Sequence, residues 1–223
     1  MRYIEKGEEP RSLTEYKQKK DAYFDGYPYK DHIRERLLKE QGYLCGYCMR
    51  RLNSAKDVKI EHLLPQSKLK EDPKEALNYK KMIGVCYGNQ NTARDKRALT
   101  CDAHRGNADL TVTPLSKTCI AQIKYRSNGE IYSDEPDIEK DLNETLNLNC
   151  NKADAYLVTN RKEAINACKR QLLKLQEKGI WKESILEAML KRYERTDSEG
   201  RYEPYSGIVI YYLKKKLRTN KKN

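Results

Sequence analysis

The sequence predicts an α+β fold in which a small cysteine-rich unit is embedded in a mainly helical chain. Two residues separate Cys45 from Cys48, which is the spacing of half a zinc site, and further cysteines follow at Cys86 and Cys101. A short strand pattern lies between these pairs, at residues 58–62, and apolar residues at helical spacing recur later in the chain. The unit is therefore predicted to be stabilised by zinc.

The N-terminal half supplies the elements around this unit. Residues 1–29 are polar and interrupted by proline and glycine, which predicts an N-terminal arm with one short helix at about 14–21. Asp31 is predicted to cap a helix that runs to about Gln41 and is stopped by the following glycine. Residues 74–83 are predicted to form a helix that leads the chain back to the metal site.

The C-terminal half is predicted to be a hairpin followed by helices. Residues 121–133 favour a hairpin because a Ser-Asn-Gly turn stands at 127–129. Two apolar stripes then repeat at helical spacing, and Gly179 separates them. Their members are Ile165, Cys168, Leu172 and Leu175, then Ile185, Met189 and Tyr193. A last amphipathic helix is predicted at 208–217.

The charge balance favours a polyanionic partner. The 223 residues include 45 Lys and Arg against 33 Asp and Glu, which gives a formal net charge of +12. Such an excess fits binding to nucleic acid, although it shows only attraction to polyanions. Residues 213–223 carry a basic tail without acids. That tail can contact phosphate, but a charged end is more often simply solvated.

Compartment is inferred from the cysteines and from the N-terminus. No run approaches the roughly 20 apolar residues that a membrane span needs, and the N-terminus lacks the apolar segment of a secretory signal. The seven cysteines are an odd number. The expected location is therefore the cytoplasm, with no membrane partner and with paired cysteines that read as metal ligands rather than disulfides.

Four cysteines are favoured as the zinc ligands because structural zinc is tetrahedral and usually takes two short ligand pairs. They are Cys45, Cys48, Cys86 and Cys101. His104 is an alternative to one of the last two. The remaining cysteines are interpreted as small buried apolar residues, and they are Cys119, Cys150 and Cys168.

An acidic residue and a histidine stand side by side at Glu61 and His62, shortly after the first cysteine pair. Hydrolysis of a phosphodiester needs a divalent ion to neutralise developing charge and a base to take a proton from water. A neutral imidazole can be that base, and carboxylate oxygens suit Mg²⁺. The residue types therefore indicate a metal-dependent nuclease.

The phrase Glu61-His62-Leu63-Leu64-Pro65-Gln66-Ser67, placed after Cys45-x-x-Cys48, resembles the HNH, or ββα-metal, endonuclease family. This resemblance implies a zinc-stabilised ββα-metal unit in which His62 is the general base. It also implies that Glu61 binds a catalytic Mg²⁺ or Mn²⁺. The family's third site, after the last cysteine, implies that Asp102 is the second ligand and that Arg105 faces phosphate.

Two positions depart from that family pattern or leave a choice open. The family has an Asn-Leu pair about five residues before a cysteine, but this chain has Lys81-Met82 there, and Asn78 is nearby but out of register. His104 is an alternative to Asp102, because the family often has histidine at its third site. The possible supporting residues are Asn78, Lys81, His104 and Arg105.

A closer resemblance covers most of the chain and points to the HNH subunits (PtuB-like) of Septu-type and retron-associated antiphage defence systems. It implies a nuclease, most simply for DNA, that works with a RecN/SMC-like ATPase subunit (PtuA-like). The phrases that carry it are Gln41-Gly42-x-x-Cys45-x-Tyr47-Cys48, Ile60-Glu61-His62-x-x-Pro65, Asn78-Tyr79, Cys86-x-Gly88-Asn89, Cys101-Asp102-x-x-Arg105-Gly106-Asn107 and Thr145-Leu146-Asn147-Leu148-Asn149.

Three segments follow from these expectations. Residues 1–29 are the N-terminal arm, residues 30–115 the HNH unit with its zinc site, and residues 116–223 the hairpin and helical region that is predicted to dock the partner. The alternative function is a non-catalytic zinc-knuckle module that binds nucleic acid or docks onto the ATPase. The cysteines and the basic tail serve both functions, so only convergence of the catalytic residues discriminates between them.

Overall fold

The computed structural model describes residues 1–152, 155–176 and 180–220, and it confirms a mixed helix and strand architecture. The helices are α1 Arg11–Lys17, α2 Lys30–Glu40, α3 Gln66–Glu71, α4 Cys101–Arg105, α5 Lys117–Gln122, α6 Pro136–Lys140, α7 Leu157–Leu175, α8 Glu183–Glu194 and α9 Ser206–Asn220. The strands are β1 Lys59–His62, β2 Met82–Val85, β3 Lys124–Tyr125 and β4 Ile131–Tyr132.

Strands β1 and β2 form an antiparallel pair beside α2. The register places Lys59 opposite Val85 and His62 opposite Met82. Every residue of β2 is buried, because the strand lies between β1 and the apolar side of α2. The pair therefore fixes the end of β1 relative to the chain segments that precede and follow β2.

A buried glutamine ties α2 to this strand pair. Gln41 Nε2 donates to the carbonyl oxygens of Leu44 at 2.8 Å and Gly84 at 2.7 Å, and the Gly84 N–H donates to Gln41 Oε1 at 2.6 Å. A Cβ on Gly84 would come within 3.1 Å of Val58, so the close approach favours glycine there. The turn that holds the first two cysteines is thereby fixed on the strand pair.

The prediction of a helix at 74–83 is wrong. Two 3₁₀ turns, Glu75–Leu77 and Tyr79–Lys81, occupy this stretch, and β2 begins directly after them. The Asn78 side chain accepts from the Lys80 N–H and so begins a new turn where a helix would continue. The apolar residues that follow pair with β1 as strand β2, so tertiary contact overrides the local helical preference.

The N-terminal segment differs from its prediction in detail. Its helix is α1, three residues earlier than predicted, and Leu13 on that helix is fully buried together with Tyr27. The Ile4 N–H donates to the Pro114 carbonyl at 2.8 Å, so the segment packs along the protein. Asp31 does not cap α2: it lies in the first turn, where it pairs with Arg34.

The C-terminal half follows the predicted patterns closely. Strands β3 and β4 form the predicted hairpin, in which Lys124 lies opposite Tyr132. Helices α7 and α8 bury most of their predicted stripes, and both pack on α9. Two members are not buried: Ile185 is half-buried, and Leu175, at the end of α7, is 61% exposed. Gly179, the predicted break, lies outside the described residues.

One large apolar core joins the three predicted segments. It includes Ile4 from the first, Cys45 and Val85 from the second, and Ile165 and Leu213 from the third. A smaller core lies between α1 and α2. The segment boundaries therefore remain predictions. Across the residues that the structure describes, no helix combines the length and the apolar composition needed to cross a bilayer.

Replacing Gln41 with methionine is expected to lower the free energy of unfolding by about 2–4 kcal/mol. The change leaves the Gly84 N–H and the Leu44 carbonyl buried without these hydrogen bonds, while the Gly84 carbonyl keeps only the bond from the Gly46 N–H. Urea denaturation measures the effect. Gln18→Met, at an exposed position, is the matched control and should stay within about 0.5 kcal/mol of the wild type. Equal stabilities of the two variants would contradict the bracing role.

Candidate metal centre and carboxylate site

Four buried sulfur atoms converge between the strand pair and α4, as the sequence predicts. The Cys45 and Cys48 thiols come from the turn after α2, Cys86 follows β2, and Cys101 begins α4. All four sulfur atoms lie within 4.8 Å of one another. The separations are 4.0 Å for Cys45–Cys101 and 3.8 Å for both Cys48–Cys86 and Cys86–Cys101. Tetrahedral zinc with bonds of ~2.3 Å requires about 3.8 Å between sulfurs, so this set fits such a metal.

A backbone N–H, a closely packed glycine and an arginine lie around the sulfur atoms. The Cys86 N–H points at Cys45 Sγ, 3.3 Å away. Gly88 has a φ of +56°, and a Cβ there would lie 2.0 Å from the Thr100 carbonyl oxygen, so only glycine fits this approach. The pKa of Arg50 is raised: burial opposes its charge, but the electrostatic attraction of Cys48 and Cys86 outweighs that effect. Arg50 thus provides positive charge beside the cluster.

His104 does not join the sulfur cluster. Its Nδ1 lies 3.1 Å from the Thr145 carbonyl oxygen, at an exposed position on α4. The other cysteines match their interpretation only in part. Cys150 and Cys168 are buried, whereas Cys119 is half-buried and directs its thiol to the Thr111 carbonyl.

A pair of carboxyl groups lies next to the cluster, where β1 contacts the first turn of α4. Glu61 is 6% exposed, and burial raises its pKa to about 8, with the nearby Asp102 carboxylate as the next cause. Asp102 Oδ2 is buried and has no hydrogen bond of good geometry, although Lys59 Nζ lies 2.5 Å away as an ion pair. The structure therefore places Asp102, rather than His104, beside Glu61.

Arg105 and Tyr47 hold Glu61 in position. Arg105 Nη1 lies 2.5 Å from Glu61 Oε1 and donates to the His62 carbonyl at 2.8 Å, while Nη2 donates to the Leu63 carbonyl. The Tyr47 hydroxyl donates to the same Glu61 oxygen at 3.0 Å. The Arg105 guanidinium therefore braces α4 against β1. A phosphate contact would require an exposed guanidinium, but Arg105 is only 5% exposed.

His62 ends β1 and has different neighbours. Its Nε2 lies 2.9 Å from the Ala76 carbonyl oxygen, and its ring meets Phe24 edge-on at 4.5 Å. A carbonyl can only accept, so this contact assigns the proton to Nε2 and leaves Nδ1 with a free lone pair. Burial lowers the pKa of His62 below its ordinary value. The imidazole is thus held neutral, with Nδ1 as a proton acceptor.

The supporting residues brace the loop between α3 and β2. Lys81 Nζ lies 2.6 Å from Glu75 Oε2, and Asn78 Nδ2 also contacts the Glu75 carboxylate. The Leu63 N–H donates to the Lys81 carbonyl at 3.0 Å and extends the strand pairing past His62. Lys81 therefore joins an ion pair at the surface.

Sequence reasoning missed Tyr47 and Lys59. Tyr47 lies inside the first cysteine turn, and its type carries no signal of a contact with Glu61. A signal for Lys59 did exist, because residues two apart on a strand share one face and Lys59 precedes Glu61 by two. Comparison with protein-family models and with curated proteins gives no match to this chain.

Replacing Cys45 with serine is expected to remove most of the bound zinc and to lower the melting temperature by about 5 °C or more, because structural zinc contributes folding free energy. Metal analysis after gel filtration and thermal denaturation measure both effects. Cys119→Ser is the matched control, since its sulfur lies outside the cluster, and it should keep the wild-type zinc content. Full zinc content in Cys45→Ser would show that the ligand set is wrong.

Protonation of Glu61 should make stability depend on pH. The folded-state pKa is raised from 4.5 to about 8, so this contribution is fully present below about pH 4.5 and is lost as the pH rises through about 8. We expect the unfolding free energy of the zinc-loaded protein to fall by up to about 5 kcal/mol across this interval. Glu61→Gln should remove that fall. Parallel pH curves for the two proteins would refute the assignment.

Proposed function

We propose that this protein is a metal-dependent endonuclease of the HNH type that hydrolyses phosphodiester bonds in nucleic acid. The observation that carries the proposal is the buried carboxyl pair of Glu61 and Asp102, with His62 next to Glu61 in the chain and its Nδ1 free to accept a proton. The order β1, β2, α4 is that of a ββα-metal unit, and Cys101 attaches α4 directly to the sulfur cluster.

The carboxyl pair fits a catalytic Mg²⁺ or Mn²⁺. Two buried carboxylates side by side repel each other, which contributes to the raised pKa of Glu61, and a divalent cation relieves this repulsion in place of a proton. Asp102 Oδ2 has no hydrogen bond of good geometry, and a divalent ion would take the place of its ion pair with Lys59. Both metals favour oxygen ligands. When bound, the ion would neutralise charge that develops on the leaving oxygen.

The protein's own residues would prepare the attacking water and the phosphate. His62 Nδ1 takes the proton from water, and the lowered pKa keeps the imidazole in the basic form at neutral pH. The Ala76 carbonyl fixes the ring by its contact with Nε2. Lys59, whose side chain is 42% exposed beside Asp102, is placed to contact a phosphate oxygen. Arg105 keeps Glu61 oriented from behind.

We further propose the cellular setting that the sequence resemblance implies. The chain would be the nuclease of a cytoplasmic antiphage defence complex, act on DNA, and work with a RecN/SMC-like ATPase subunit. The net charge of +12 supports a nucleic-acid substrate. The helical region from residue 116 onward supplies surface for the partner beyond the catalytic unit.

A second candidate is supported by the ion pairs. Arg105 binds Glu61 and Lys59 lies beside Asp102, so both acids already have cationic neighbours without a metal. A zinc-stabilised module that only binds nucleic acid, or an adaptor that docks on the ATPase, would also preserve these contacts. Binding of a divalent ion at the carboxyl pair separates these candidates from the nuclease.

His62→Ala is expected to reduce Mg²⁺- or Mn²⁺-dependent cleavage by about 10²–10⁴-fold, the usual contribution of a general base, while zinc content and folding stay unchanged. Cleavage of supercoiled plasmid, single-stranded DNA and RNA is measured with and without the ATPase subunit. His32→Ala is the matched control, because this imidazole stacks on Tyr29 far along the chain from β1. Undiminished cleavage by His62→Ala would rule out the general-base role.

The same assays compare Asp102→Asn with His104→Ala. Asp102→Asn should weaken Mn²⁺ binding, which is measured by electron paramagnetic resonance, and should abolish cleavage. His104→Ala should keep both, because its imidazole faces Thr145. If the zinc-loaded wild type binds no Mn²⁺ and cleaves no substrate even with the ATPase present, the non-catalytic module is the better description.

A further inference from the structure

A groove of about 1150 Å³ runs between the N-terminal segment, α5, the β3–β4 hairpin and α9. Among the described residues that line it are Cys45 and Gly46, but not Glu61, His62 or Asp102. The groove is therefore separate from the carboxyl site, although the cysteine turn forms part of its wall. Its volume exceeds that of most small-molecule pockets, which suits an extended ligand.

Positive charge prevails in this groove after the internal ion pairs are subtracted. Lys214 pairs with Glu194 at 2.7 Å, and Glu40 on the wall pairs with Lys6. Four lining cations have no carboxylate within ion-pair distance in the part of the chain that the structure describes, and they are Arg2, Lys117, Lys215 and Arg218. The Arg2 guanidinium is already used, because it donates to backbone carbonyl oxygens of α8. Glu5 is the lining acid that likewise has no ion-pair partner among the described residues. The unpaired cations outnumber it, so the remaining charge is positive.

The cations stand on two facing walls together with aromatic rings. On α9, Tyr211, Lys215 and Arg218 are spaced four and three residues apart, which places them on one face of the helix. On the other wall, Lys117 Nζ lies 4.9 Å from the ring centroid of Tyr3. Both lysines are exposed at the groove surface.

The tyrosines offer faces for stacking. Tyr211 packs against Tyr125, with ring centroids 5.9 Å apart and an angle of 59°, so one side of its ring is supported by the core. Tyr3 is 37% exposed, and Tyr132 also lines the groove. Unpaired bases stack on such rings, whereas the bases of a duplex are already stacked on each other.

We propose that this groove binds single-stranded nucleic acid, with phosphates on Lys117, Lys215 and Arg218 and a base on Tyr211. An acidic peptide would satisfy the cations but would leave the rings without a stacking partner. The inference rests on the proposed function only for the choice of nucleic acid as the polyanion. Binding through the groove does not require the carboxyl site to be active.

The test is fluorescence anisotropy with labelled oligo(dT) of about 12 nucleotides, a length within the range that stacking grooves accommodate. The buffer contains no Mg²⁺ or Mn²⁺, so cleavage does not interfere. The joint variant Lys117→Ala, Lys215→Ala, Arg218→Ala should bind at least about tenfold more weakly. Its slope of log K against log salt should fall by about 2, since each phosphate contact on a single strand contributes roughly 0.7.

The matched control is the joint variant Lys20→Ala, Lys56→Ala, Lys96→Ala, which removes the same charge at exposed positions outside the groove. It should change the affinity for oligo(dT) less than about threefold. Tyr211→Leu keeps an apolar side chain against Tyr125 but removes the stacking face. It should weaken binding by at least about fivefold without lowering the melting temperature by more than a few degrees.

Several outcomes would overturn the proposal. They are equal losses in the groove and control variants, tighter binding of a duplex of the same length, and equal competition by an oligoglutamate of the same charge. His62→Ala should bind oligo(dT) as the wild type does. If cleavage fails in every assay while groove-dependent binding persists, the proposed nuclease function is wrong and the groove assignment stands.

Discussion

The convergence of four thiols is the constraint on which the rest of this structure depends. Cys45 and Cys101 stand 56 positions apart, yet their sulfur atoms lie 4.0 Å from each other. Only 38% of the residues are apolar, so the core alone leaves a small margin against the entropy of ordering the loop that ends at Cys101. A tetrathiolate zinc site contributes on the order of 10 kcal/mol to folding, comparable with the whole stability of many domains. The position of α4, and hence of Asp102, follows from it.

Charge balance is the second constraint, and it explains how two buried carboxyl groups are held side by side. Glu61 and Asp102 are buried side by side, which costs free energy unless a proton or a cation accompanies them. Arg105 supplies one cation from α4, and Lys59 supplies another from β1. These contacts hold the strand and the helix together, and the Lys59 ion pair is made to the Asp102 oxygen that has no hydrogen bond of good geometry. Under the proposed function, a divalent ion would take the place of that ion pair.

The sulfur cluster also relates the two proposed binding regions. Cys45 contributes to the wall of the basic groove, while Cys101 begins the helix that carries Asp102. The groove adds residues from the N-terminal segment and from α9, so the helical half completes a surface that the small metal unit could not form alone. A nucleic-acid strand in the groove would contact the turn that holds the first cysteine pair. The proposed groove and the proposed carboxylate site are thus both attached to the sulfur cluster.

Local patterns determined what the sequence by itself could predict: the four cysteine ligands, the β3–β4 hairpin and the apolar stripes of α7 and α8. Each depends on spacing along the chain, which ligand geometry and helical periodicity translate directly into structure. Only the tertiary structure decided the rest. Strand pairing made residues 74–83 into turns and the start of β2, and packing of α4 directed Arg105 inward and put Asp102, rather than the alternative His104, beside Glu61. The reason is that burial and pairing with distant residues outweigh local propensity, and neither is encoded within a short window of sequence.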